Sequence, residues 1–155
     1  TRFQLQVTCD DPLKATIQSY HIHIMMPLHS APQIAKAVKL QADFITAFDL
    51  WGKKNCTGEA GDPWNGGDVE LCTFSPDFGP AGPFLTGQLS WFVPLPDLQQ
   101  TMTWITARRG DLDIFVHPNS GCEVEDHTRW ALWSGDKWHL DATIFSCDSP
   151  GCVPK

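Results

Sequence analysis

His21 and His23 stand two apart in Tyr20-His21-Ile22-His23-Ile24, and His117 closes the run Leu112-Asp113-Ile114-Phe115-Val116-His117 just before Pro118. Residues two apart in a β-strand face the same side of the sheet, so His21 and His23 can present both imidazoles together. That is metal-ligand spacing. If the strand ending at His117 lies antiparallel beside the strand that begins at Tyr20, the last residues of one meet the first of the other and three imidazoles converge. An isolated H-x-H is more often a pair of hydrogen-bonded strand residues than a ligand pair. The second strand ending in histidine tips the balance toward metal binding.

The elements needed to bring these residues together can be read along the chain. Thr16 to Met26 is rich in β-branched and aromatic residues and stops at Pro27, which predicts a strand. Ser30 is a candidate cap and Pro32 a helix starter, followed by a stripe of Ile34, Ala37, Val38, Phe44, Ile45 and Phe48. Gly52 to Asp68 lacks apolar periodicity and is expected to be a surface loop. Val69 to Phe74 and Phe84 to Val93 read as strands joined by the turn material Ser75 to Pro83, together a hairpin. Pro94 to Arg109 has helical spacing at Leu95, Leu98, Met102 and Ile105, with Gly110 as its stop. Asp111 to Val116 is the fourth strand. The order strand-helix-strand-strand-helix-strand predicts an α+β, ferredoxin-like (split βαβ) antiparallel sheet with helices on one face, in which the first and fourth strands are neighbours. Pro118-Asn119-Ser120-Gly121 is a turn, after which Asp126 or Thr128 could start a short helix and fold His127 back toward the other histidines.

The 155 residues, 42% hydrophobic with seven Trp and nine Phe, suffice for the core of a single domain over 1–155. A formal charge of −7 with 11 Lys+Arg offers no electrostatic footprint for nucleic acid or an anionic membrane. No apolar run has the length of a membrane helix, so neither partner is expected. Six cysteines, Cys9, Cys56, Cys72, Cys122, Cys147 and Cys152, are scattered without a C-x-x-C pair, the usage of a disulfide-stapled secreted chain rather than of a zinc ribbon. Thr1-Arg2-Phe3-Gln4 lacks the layout of a signal peptide, which a secreted chain would have shed. Cys56 with Cys72 would clasp a loop and Cys147 with Cys152 would tie down the tail, although the connectivity is open. Asn55-Cys56-Thr57 is an N-glycosylation sequon.

Tyr20-His21-Ile22-His23, Ala107-Arg108-Arg109-Gly110-Asp111-Leu112, Val116-His117-Pro118-Asn119-Ser120-Gly121, Asp126-His127-Thr128, Ala131-Leu132-Trp133-Ser134-Gly135 and Leu140-Asp141 together resemble the DOPA 4,5-dioxygenase family of small ferredoxin-like enzymes. The resemblance runs in order through residues 20 to 145. It implies a non-haem metal ion, typically Fe(II), and dioxygen cleavage of a small aromatic, catechol-like ring beside its hydroxyls. It also implies that His21, His23 and His117 bind or directly flank the metal, that His127 stands behind them or moves a proton, and that Arg108 or Arg109 meets a substrate carboxylate. The family carries a Gly-Pro-His-Pro block between the second and third strands, where this chain has Gly79-Pro80-Ala81-Gly82-Pro83, so one histidine is missing. The cysteines and the 52–68 insertion suggest a secreted branch. Outside the cell Fe(II) oxidises readily, which makes Cu(II) a candidate, with Zn(II) behind it.

Two functions follow: a metal-dependent extradiol ring-cleaving dioxygenase, or a secreted copper- or other metal-binding protein that keeps the histidine cluster without turnover. A third, a stapled binding domain for an organic ligand or protein, is disfavoured by the surviving histidines. Pairing into a homodimer through sheet edges or faces is open to small domains of this class. His29 and His139 lack a strand partner and are expected at the surface. Trp91, Trp104, Trp130, Trp133 and Trp138 are expected in the core or as pocket walls, and Glu123, Glu125 and Asp126 on a solvated face.

Overall fold

A computed structural model describes residues 9–51, 55–56 and 70–145. Its spine is β1, Ser19–Met26, the centre of a five-stranded sheet in which every pairing is antiparallel. On one side of β1 lie β3 (Gly87–Pro94) and the two-residue β2 (Cys72–Thr73); on the other lie β4 (Ile114–Asn119) and β5 (Leu132–Ser134). Helix α1 (Ala31–Ala47) joins β1 to β2, and α2 (Leu95–Arg108) joins β3 to β4. The ferredoxin-like α+β order read from the sequence is the order found, with β5 added at one edge.

The period of two in β1 sorts its side chains. Ile22, Ile24 and Met26 have no exposure and pack with Leu89, Trp91 and Val93 of β3, Ile114 and Val116 of β4, and Phe44 and Ile105 of the helices. His21, His23 and Met25 therefore face the other way, into a separate cluster with Phe84 and Phe115. The helices cover one face and the histidines occupy the other.

Several boundaries differ from the sequence expectation for identifiable reasons. Ser30 occupies the cap position of α1, but its side chain makes no capping bond; its carbonyl accepts from Ile34 instead. The buried stripe of α1 is Ala37, Leu40, Gln41 and Phe44, while Val38 is 40% exposed. Gln41 is tolerated inside because its amide donates to Thr73 Oγ1 and to the Phe74 carbonyl. β4 runs on through Pro118 and Asn119, where a turn was expected. β5 pairs only with Ile114–Val116, so beyond Val116 that edge of β4 has no ladder partner among the described residues and a residue without an N–H is accommodated. α2 stops before Gly110, whose φ of +59° ends the helix.

Cys56 pairs with Cys72, closing the base of the 52–68 insertion, and Cys9 pairs with Cys122, a link of 113 residues that the sequence left open. The suggested Cys147–Cys152 pair and most of the insertion lie outside the described residues.

Candidate metal centre

The register of the sheet decides which imidazoles meet. His21 of β1 is directly opposite His117 of β4, and His23 is opposite Phe115. Both histidines of β1 and His117 point to the face away from the helices, so one ligand nitrogen from each falls within 4.8 Å of the other two. His23 Nε2 and His117 Nε2 are 3.2 Å apart.

Hydrogen bonding assigns the protons. His117 Nδ1 lies 2.9 Å from the Pro118 carbonyl, which can only accept, so Nδ1 carries the hydrogen and Nε2 the lone pair. His23 Nδ1 lies 2.7 Å from Gln88 Oε1 and is likewise the donor, leaving its Nε2 a lone pair. Two acceptor nitrogens thus face each other at 3.2 Å, with no proton between them. His21 Nε2 is also buried without a hydrogen-bond partner among the described residues. A buried, unsatisfied polar atom costs about 1–3 kcal/mol, so a site that gathers several of them calls for a cation.

A proton does not serve as that cation. Burial holds His21 down at about 3 and keeps His23 and His117 well below the ordinary imidazole value, because a charged ring would lose its hydration and meet its neighbours' charge. A metal ion fits. Nitrogens bound at about 2.1 Å stand about 3.0 Å apart at a right angle and about 3.4 Å apart at the tetrahedral angle, a range that spans the His23–His117 separation.

The fourth histidine arrives from outside the sheet. α3, Glu123–His127, starts at Cys122, where the disulfide to Cys9 pins the chain. It begins before either start expected from the sequence. Asp126, expected on a solvated face, is 1% exposed, and its carboxylate accepts from the Ser120 N–H and Oγ; burial pushes it up to about 6. The same turn carries His127 to a ring-centre distance of 4.0 Å from His117, and Phe145 stacks on its outer side at 4.5 Å. His127 Nδ1 donates to the Glu123 carbonyl, its Nε2 is left as an acceptor, and burial lowers it to about 4. His127 returns toward the other histidines as expected, but the bend that brings it back lies at Ser120 and Gly121, after Pro118 and Asn119 have continued β4.

Beside His127 opens a cleft of about 410 Å³, walled by Trp133, Trp138 and Leu140, with Lys137 and His139 also lining it. That volume suits a small aromatic molecule. Trp138 is held as a wall by Asp113, whose carboxylate accepts from Trp138 Nε1 at 2.8 Å and from the Asp136 N–H. His29 and His139 are exposed, as expected.

Arg108 and Arg109 are not brought to this site. The Arg108 guanidinium lies over the Trp104 ring, which packs on Phe44 and Phe48 in the helix layer, and Arg109 donates to the Leu112 carbonyl in the loop after α2. Arg108 thus stays in the helix layer, and Arg109 lies beside Gly135 and Asp113 rather than among the histidines, so neither placement supplies evidence for the carboxylate-binding role implied for them.

Three contributors escaped the sequence reading. Gln88 fixes His23, and Asp77 accepts from Gln88 Nε2. Phe84, directly after the second Gly-Pro pair, is 5% exposed, with its ring 4.6 Å from that of His23. The signal for Gln88 was available: Gln88, Ser90 and Phe92 alternate with the apolar Leu89, Trp91 and Val93, so a polar residue had to face the second cluster.

The sequence profile of the Dopa 4,5-dioxygenase family matches residues 20–144. The chain is 23% identical over 129 residues to the DOPA 4,5-dioxygenase of Amanita muscaria; the match takes in 83% of this chain and 50% of that one, so the chain spans about half the length of this curated relative. It is also similar to a Nostoc punctiforme crystal structure provisionally assigned as a dioxygenase, with a TM-score of 0.61 and 21% identity over 82% of this chain and 90% of that one. At that identity the likeness is one of fold.

Proposed function

The chain belongs to the Dopa 4,5-dioxygenase family, and from that premise we propose that it holds one non-haem metal ion on His21, His23 and His117 and uses dioxygen to cleave a catechol-type ring beside its hydroxyls. The observation that carries this reading is the pair of lone-pair nitrogens of His23 and His117 at 3.2 Å, with a third nitrogen, on His21, that has no partner among the described residues. A metal bound there supplies the open positions at which catecholate and dioxygen can coordinate.

The chain's own groups do the rest. His127, neutral and lining the cleft, accepts a proton from a catechol hydroxyl at its Nε2 while Nδ1 stays on the Glu123 carbonyl. Trp133 and Trp138 flank the ring and exclude water, and Lys137 or His139 meets a polar substituent at the rim. Iron is the metal that the family resemblance favours. Secretion, supported by two disulfides and by the sequon at Asn55, brings Cu(II) forward, because copper heads the affinity order at imidazole sites.

A second reading has one specific observation in its favour. Phe84 packs on His23 directly after Gly79-Pro80-Ala81-Gly82-Pro83, the stretch that lacks the family block's histidine, and that loss suits a secreted copper-binding protein without turnover. Metal analysis of protein purified without an affinity tag, followed by incubation with DOPA under air, separates the two. Stoichiometric metal with a yellow product that is lost in His117→Ala is the expected result. Metal without product leaves the second reading, and no stoichiometric metal overturns both.

A further inference from the structure

We propose that Asp77 and Gln88 form a positioning relay that holds His23 in its Nδ1-protonated tautomer and thereby presents Nε2 to the centre. As a statement about metal binding it rests on the reading of the three histidines as ligands; as a statement about the tautomer it does not.

The argument runs from the outside inward. Asp77 is clamped opposite Gln88 by two backbone hydrogen bonds of 2.9 Å, N–H to carbonyl in each direction. The clamp depends on Gly87, where a Cβ would come within 2.7 Å of the Asp77 carbonyl oxygen. So placed, the Asp77 carboxylate receives Gln88 Nε2. A carboxylate can only accept, so the amide cannot turn over: its nitrogen faces Asp77 and its oxygen faces His23. The oxygen in turn can only accept, so the proton of the neutral ring must sit on Nδ1, 2.7 Å away. Each step removes one alternative, and together they leave a single orientation of lone pairs at the centre. Without the carboxylate, a flipped Gln88 would offer N–H to Nδ1, move the ring proton to Nε2 and disable the ligand.

Asp77→Asn tests this because asparagine can either donate or accept, so the amide of Gln88 loses its direction while the backbone clamp remains. Nitrogen-15 NMR of the full chain without metal, with the His23 signals assigned by comparison with His23→Gln, reads the tautomer directly. The wild type is expected to show only the Nδ1–H form and Asp77→Asn a mixture. Zn(II) affinity by calorimetry is expected to fall about tenfold or more in Asp77→Asn. Asp77→Asn/Gln88→Glu restores both, since a carboxylate at position 88 must accept from Nδ1 whatever stands at position 77. Gln88→Met, which removes the acceptor without touching Asp77, is expected to release the tautomer in the same way.

An unchanged His23 tautomer in Asp77→Asn and Gln88→Met, or failure of the double variant to restore it, overturns the relay. If the wild type takes up no Zn(II) while the tautomer responds as described, the relay stands and the metal reading falls. If Zn(II) binds equally to the wild type and Asp77→Asn with one fixed tautomer, the reverse holds.

Discussion

The Nε2 atoms of His23 and His117 face each other at 3.2 Å, and each ring has already committed its one proton to a different acceptor. Neither can donate to the other. The sheet register enforces this opposition, since the two residues come from central strands whose pairing is locked by the core on the helix side.

Metal is therefore expected to stabilise the fold. At a free concentration of Zn(II) one hundred times its dissociation constant the gain is about 2.7 kcal/mol, which for a domain of this size raises the unfolding temperature by about 5–10 °C. A thermal scan with and without Zn(II) checks this, and a chelator should reverse it. His23→Ala should show no rise.

His117→Gln distinguishes ligand from filler. A glutamine amide can donate to His23 Nε2, so the metal-free variant is expected to unfold at the same temperature as the wild type or higher, while its response to Zn(II) is lost. A metal-free variant markedly less stable than the wild type would show that the opposed nitrogens are not a strain on the empty centre.

Acid should destabilise the metal-free protein. His21 at about 3, His127 at about 4, and His23 and His117 well below the ordinary value all lie beneath the unfolded-state value of 6.5, so below about pH 6.5 the unfolded chain binds more protons than the native one. Stability is fully present above that pH and drains away as pH falls toward 4. Asp126, raised to about 6, acts in the opposite sense by gaining a proton in the native state, but it is one group against four. Denaturation midpoints in urea should hold between pH 7.5 and about pH 6.5 and fall from there to pH 4.

His127→Gln should separate binding from turnover. Zn(II) affinity is expected to stay within a few-fold of the wild type, because His127 is not among the three converging ligands. Ring cleavage should slow by about 10²–10⁴-fold, the usual worth of a positioned proton acceptor. Stopped-flow turnover beside calorimetry measures both.

Asp113→Ala removes the acceptor for Trp138 Nε1 and for the Asp136 N–H. A loss of about 1–2 kcal/mol is expected in urea unfolding, together with a change in tryptophan emission as the cleft wall loosens. Affinity for an aromatic ligand should fall while Zn(II) affinity holds.

The sequence alone determined the strand order, the antiparallel neighbourhood of β1 and β4, and hence the meeting of His21, His23 and His117. These follow from periods of two and 3.6 and from connection rules, which are local properties of the chain. It also suggested the return of His127 and offered Cys56–Cys72 as one pairing among an open set. Only the tertiary structure decided the rest. Arg108 lies over Trp104 in the helix layer and Arg109 beside Gly135 and Asp113, Val38 turns outward, Asp126 is buried against Ser120, and Pro118 continues β4 past the end of its pairing with β5. Phe84 and, through Gln88, Asp77 act on His23 from more than 50 residues away in sequence, where neither spacing nor composition points to a partner; the alternation along β3 puts a polar residue at 88 on the histidine face but does not say what it meets. Which nitrogen carries a proton is settled by partners in space, and no pattern along the chain encodes it.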